Sequence, residues 1–113
     1  MSNQEQELEQ IELSIKHARK NIDRHDEFNK MMKTKEFKSL IEDGYFVNEA
    51  SRLVLLKADP SLQSDEDQKQ LDNSIMAIGH LRQYFMTIVQ LGSMSVKALV
   101  EDLATHNEIL GEE

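Results

Sequence analysis

The residues best suited to acid–base or metal chemistry in this sequence are four histidines, which are His17, His25, His80 and His106. None belongs to the His-Glu-x-x-His pattern that places two zinc ligands on one helix face. No Glu-x-x-His pair of the kind that builds two-metal sites in helical bundles occurs either. Asp102 and His106 lie four residues apart and could share a ligand, although an ordinary contact on a helix surface is the favoured interpretation. The sequence predicts no metal site.

The sequence contains no recognisable catalytic nucleophile. The absence of cysteine excludes a thiol nucleophile, a disulfide framework and a thiolate metal site. No serine follows the strand–turn–helix pattern that exposes a catalytic hydroxyl. The residues around Gly92 lack the second glycine and the lysine of a phosphate-binding loop. We therefore predict that the protein is not an enzyme and carries no cofactor.

The charge of the chain restricts its partners. Twenty-one acidic residues against 13 basic ones give a formal net charge of -8. Nucleic-acid binding depends on neutralising phosphates with Lys and Arg, and an anionic membrane surface repels an acidic chain in the same way. The first residues are polar and acidic, unlike a signal peptide, and no apolar run approaches the roughly 20 residues needed to cross a bilayer. We expect a soluble single domain over residues 1–113 that binds neither nucleic acid nor membrane.

The stretch that must position most of the chain is a long amphipathic helix over residues 65–110. Its apolar residues recur in steps of three, four and seven, which keeps one helix face apolar. Gly92 and Ser93 interrupt the pattern, so one continuous helix and two helices joined there both remain open. The apolar positions are Leu71, Ile75, Ile78, Phe85, Val89, Val96, Leu99, Leu103 and Leu110.

A second helix with coiled-coil spacing is predicted at the N-terminal end, with Ser2 or Asn3 as its cap. Its apolar face is formed by Leu8, Ile11, Ile15, Ala18 and Ile22, and the same spacing continues to His25, Asn29 and Met32. The two polar residues either fix the register of the helix contact or mark its end at Ile22. A basic strip on this helix, most simply a solvated face, consists of Lys16, Arg19, Lys20 and Arg24.

Two shorter helices are predicted between the long ones. Thr34 is placed to cap a helix over residues 35–43, and Gly44 is placed either to end or to kink it. Residues 45–57 carry a wide apolar arc, which predicts the most buried helix of the domain. Ser64, followed three residues later by Asp67, resembles a capping box and marks the start of the long helix.

These elements predict an all-α fold, an elongated helical hairpin or bundle in which the long C-terminal helix packs on two or three N-terminal helices. A continuous helix of this length spans roughly 65–70 Å, so part of its apolar face would overhang a compact domain. The overhang either folds back at Gly92 or is covered by other copies, and we favour a homo-oligomer. The predicted interface residues are Arg82, Val89, Gly92, Val96, Leu99 and Leu103.

The middle of the chain resembles known proteins. The segments that carry the resemblance are Phe37-Lys38 with Ile41, Gly44-Tyr45-Phe46, Glu49-Ala50, Arg52-Leu53-Val54, Leu56-Lys57-Ala58-Asp59-Pro60, Ala77-Ile78-Gly79, and Leu81 followed by Tyr84-Phe85. In this order they resemble a group of small helical proteins of tailed bacteriophages, whose genes often lie among those for particle assembly. The resemblance covers about half of the chain and includes no catalytic motif. It implies a viral setting and transfers no functional residue.

We therefore predict a non-enzymatic structural or assembly protein of a phage particle that acts as a helical homo-oligomer or binds other particle proteins. Its expected location is the host cytoplasm during infection, with the virion as the alternative. Two other functions remain open. The acidic surface is compatible with an accessory protein that binds and inhibits a host factor, and an oligomer could enclose a small ligand with side chains such as His80 and Arg82.

Overall fold

A computed structural model describes residues 2–111, and every secondary-structure element in this range is helical. The elements are α1 (Asn3–Met32), α2 (Lys35–Phe37), a π-helical segment (Lys38–Glu49), α3 (Ala50–Leu56), a 3₁₀ turn (Pro60–Leu62) and α4 (Asp65–Ile109). The predicted all-α fold with a long C-terminal helix packed on N-terminal helices is confirmed. Because α4 runs unbroken through Gly92 and Ser93, the alternative of two helices joined there is wrong.

The chain divides into two compact units. The terminal unit comprises the chain up to Phe28 and from Thr87 onwards, so it contains most of α1 and the second half of α4. The central unit comprises Asn29–Met86. The prediction of one domain over residues 1–113 stays a prediction.

Side-chain hydroxyls cap the N-termini of three helices. The backbone N–H groups of Glu5, Phe37 and Asp67 each donate to the hydroxyl three residues earlier, at 3.1 Å in every case. The acceptors are Ser2, Thr34 and Ser64. Each of these bonds satisfies one of the donors that a helix start leaves without a partner in the helix. The caps predicted at Thr34 and Ser64 are confirmed, and Ser2 caps α1 through this bond.

The central unit is built around apolar side chains that α3 and the first half of α4 bury between them. Leu53, Leu71 and Ile78 are buried, and the residues packed against them are Tyr45, Phe46, Ala50, Leu56, Leu62 and Ile75. The ring of Phe85 contacts those of Phe37 and Phe46 edge to face, with centroids 5.7 and 6.1 Å away. Edge-to-face contacts are a favoured geometry for aromatic pairs. The α4 spacing that includes Leu71, Ile78 and Phe85 therefore predicted this core.

The corner between α3 and α4 is stabilised by two glutamines that were not singled out in the sequence analysis. The Nε2 amide of Gln63 donates to the carbonyls of Lys57 and Asp59, at 2.9 and 2.7 Å. That of Gln68 donates to the carbonyls of Lys57 and Leu62, at 3.1 and 2.8 Å. Helix ends leave carbonyls without partners in the helix, so these amides take the place of the missing N–H groups.

One prediction for the central unit is wrong. Gly44 does not end a helix, because it lies inside the π-helical segment Lys38–Glu49, which continues directly into α3. The alternative of a kink at Gly44 stays a prediction. The stretch 45–57, predicted as the most buried helix, has more than half of its residues buried or half-buried. Val47, Val54 and Leu55 are nevertheless exposed, Leu55 by 75%. Only Leu53 of this stretch is buried. A wide apolar arc thus reports how many apolar residues a helix has, not how many neighbours cover them.

Candidate functional site

In the terminal unit, α1 and α4 run antiparallel, and polar contacts fix their register. The side-chain amide of Gln4 donates to the carbonyl of Ile109 at 2.9 Å, near one end of the pair. Further along, the Ser14 hydroxyl donates to an Asp102 carboxylate oxygen at 2.6 Å. The amide of Asn21 then donates to the Ser95 hydroxyl at 3.2 Å. The contact residues on α1 rise in number while their partners on α4 fall, as expected for antiparallel helices. The three contacts together define the register of the helix pair.

The side of α4 that faces α1 is formed largely by small and polar residues. Gly92 and Ser95 are both buried, and Ala18 is the buried residue of α1 in the same region. At Gly92 the helices approach so closely that an added Cβ would lie 2.5 Å from Cγ of His25. Small residues permit such a close approach of two backbones. This side of α4 already has its partner within the chain.

An adjacent side of α4 is apolar and exposed. We call it the apolar face, and its apolar members are between 36% and 65% exposed: Val89, Val96, Val100, Leu103 and Leu110. With Ser93 and Asn107 they recur at alternating steps of four and three residues over three heptads. That spacing is the pattern of a helix that packs lengthwise against another helix. Within the described part of the terminal unit, residues 2–28 and 87–111, this face stays exposed.

The structure separates the predicted interface residues into three groups. Val89, Val96 and Leu103 belong to the apolar face and are exposed. Gly92 is buried and Leu99 is half-buried, both on the side of α4 that faces α1. Arg82 is exposed and belongs to the central unit, outside the apolar face. A contact between chains at these residues stays a prediction.

Val100 is the residue of the apolar face that the sequence analysis missed. The predicted series took alternate steps of three and four from Val89 through Gly92, and it therefore moved between the two sides of α4. Starting with a step of four, from Val89 through Ser93, gives the exposed series and includes Val100. The heptad spacing was visible in the sequence. The sequence did not show which of two adjacent stripes on α4 faces α1 and which is exposed.

The histidines are divided between exposed positions and helix contacts. His17 and His80 are exposed. His106 Nε2 lies 3.4 Å from a carboxylate oxygen of Glu12 across the helix pair. Asp102 bonds instead to Ser14, so Asp102 and His106 each contact α1 separately. Among residues 2–111 no group of three or more His, Asp or Glu residues is arranged to hold a metal ion.

Comparison with known proteins gives no relative: no family model, curated protein or solved structure matches the chain. None of the described helices has an apolar stretch long enough to cross a membrane.

Proposed function

We propose that this protein is a non-enzymatic structural protein that works by self-association, with the apolar face of α4 as its contact surface. The observation that carries the proposal is the exposed series Val89, Val96, Val100, Leu103 and Leu110 at heptad spacing. Folding back at Gly92 was the other way to cover it, and the continuous α4 removes that alternative. A face of this kind on a helix is typical of an interaction site.

The size of the face indicates an association that depends on concentration. Burying a Val or Leu side chain completely contributes about 1.5–3 kcal/mol. Five side chains that are about half exposed, from each of two copies, therefore give a gross gain of about 8–15 kcal/mol by the same rule. Lost translational and rotational freedom alone costs about 4–15 kcal/mol. The gain and the cost are of similar size, so we expect a reversible oligomer rather than a permanent one.

The proposed setting is the assembly of a tailed-phage particle, in the cytoplasm of the infected host. It is supported by the resemblance of residues 36–85 to small helical phage proteins, and by the lengthwise contact surface, which suits a protein that builds or covers a larger assembly. Probing purified particles and assembly intermediates with an antibody tests the setting. We expect the protein in at least one of them, and its absence from both would contradict the setting but not the self-association.

Light scattering on a sizing column, over a range of protein concentrations, tests the self-association. We expect a mass above that of one chain that rises with concentration. Val100→Asp should reduce it to the monomer mass, because a carboxylate would be desolvated at the contact. Val54→Asp is the matched control, since Val54 is also an exposed valine on a helix but lies in α3.

A wild-type chain that stays monomeric at the highest concentration would overturn the proposal. An oligomer that both variants retain would show that the apolar face is not the contact. Circular dichroism of each variant establishes that the helices are intact before the masses are compared.

A further inference from the structure

The terminal unit has charges of opposite sign along its length. Residues 3–12 of α1 lie beside residues 101–109 of α4, as the contacts of Gln4 and Glu12 with that part of α4 show. These two segments form an acidic end without any Lys or Arg. Its carboxylates are those of Glu5, Glu7, Glu9, Glu12, Glu101, Asp102 and Glu108.

The neighbouring part of the same unit is basic. Residues 13–24 of α1 lie beside residues 90–100 of α4, as the contact of Asn21 with Ser95 shows. These segments form a basic stretch whose only carboxylate is that of Asp23. Its cations are Lys16, Arg19, Lys20, Arg24 and Lys97. In a chain of net charge -8 this stretch is a local concentration of positive charge, and its Lys97 directly follows Val96 of the apolar face.

We infer that two copies pair antiparallel, α4 against α4 through their apolar faces, so that the acidic end of one copy lies beside the basic stretch of the other. The inference rests on the proposed self-association and specifies its geometry. The apolar face spans residues 89–110, and its middle lies where the acidic end and the basic stretch meet, near Val100. A two-fold axis there places residues 101–109 of one copy along residues 90–99 of its partner.

The parallel arrangement has the opposite electrostatics. It would place two acidic ends side by side and two basic stretches side by side. Complementary charge at an interface fixes orientation and register, and like charges in contact oppose association. The apolar residues alone are compatible with both orientations, because their heptad spacing reads the same in either direction. Charge therefore decides the orientation.

Spin-label distances distinguish the two orientations. The chain has no cysteine, so Gln90→Cys and Ala104→Cys each introduce a single labelling site. Both residues are exposed and flank the apolar face without belonging to it. In a parallel dimer both inter-copy distances stay near the helix separation of about 10 Å plus the reach of the labels. In an antiparallel dimer each label is separated along the helix axis from its counterpart in the partner, and the two separations add up to at least about 42 Å at 1.5 Å per residue, wherever the two-fold axis lies.

At least one of the two distances must therefore exceed about 20 Å in the antiparallel dimer. We expect that result, together with a dissociation constant that rises several-fold between about 0.05 and 0.5 M salt, because salt screens the attraction between opposite charges. Two short distances, or association that strengthens with salt, would overturn the orientation and leave the self-association standing. A monomer at labelling concentration would overturn both.

Discussion

Replacing Gly92 by alanine tests whether α1 and α4 approach as closely in solution as they do in the structure. The Cβ atom added to residue 92 would lie 2.5 Å from Cγ and 2.8 Å from Cδ2 of His25, and it would also overlap Cβ of that residue. Cβ of His25 is attached to the backbone and keeps its place in every rotamer, so a change of rotamer moves the ring but cannot remove the overlap at Cβ. One helix has to shift relative to the other.

The expected magnitude follows from two opposing contributions. Alanine stabilises a helix interior by about 1 kcal/mol relative to glycine. Overpacking a well-packed contact typically costs about 1–3 kcal/mol, and the overlap at Cβ places Gly92→Ala in the upper half of that range. We expect a net loss of about 1–2 kcal/mol in the free energy of unfolding.

Gly79 supplies the matched control on the same helix. A Cβ added there would meet no atom within 4 Å, so Gly79→Ala should gain the full helix contribution of about 1 kcal/mol. Urea unfolding followed by circular dichroism, at one fixed protein concentration, measures both variants. The two variants should differ by about 2–3 kcal/mol. If Gly92→Ala is stabilised as much as Gly79→Ala, the close approach of the two helices is refuted.

Two further predictions concern the central unit. Ile78→Ala should lower the free energy of unfolding by about 2–5 kcal/mol in urea unfolding, because Ile78 is buried in the core, whereas Leu55→Ala should change it by less than about 0.5 kcal/mol. Equal effects would contradict the burial pattern. The backbone N–H and the hydroxyl of Ser61 donate to the Asp59 carboxylate and hold its pKa below its ordinary value of 3.8. The stabilisation from these hydrogen bonds is complete above the pKa that Asp59 has in the unfolded chain, and it is lost as pH falls through the lower pKa of Asp59 in the folded protein. Wild type should therefore lose more stability than Asp59→Ala on acidification below about pH 4. Parallel acid unfolding curves would refute it.

The sequence was a good guide wherever one local pattern had one physical outcome. The spacing from Leu8 to Met32 predicted the partly buried face of α1, and every residue of that series is buried or half-buried. The hydroxyl caps at Thr34 and Ser64 were predictable because a cap acts within three residues of its own position. These features depend on the residues next to them in the chain.

The sequence was a poor guide wherever the outcome depended on which neighbour was present. The 12-residue π-helical segment around Gly44 has no local signature, since π-helices are rare and usually limited to one turn. In α4 two adjacent stripes share nearly the same spacing, and periodicity alone cannot tell which of them α1 covers. The interface set drawn from the sequence therefore mixed the exposed Val96 with the buried Gly92.

The distribution of residue types on the two sides of α4 favours self-association through the apolar face. The side facing α1 includes a buried glycine and the buried, hydrogen-bonded Ser95, together with the charged contact at Asp102. The uncovered side carries valines and leucines. Burial of apolar surface is the main favourable contribution to folding, so a helix pair that leaves its more apolar side in water gains less from folding than its composition allows. In the proposed dimer a second copy with the same face would recover that contribution, and the antiparallel orientation would bring the seven carboxylates of the acidic end beside the five cations of the basic stretch.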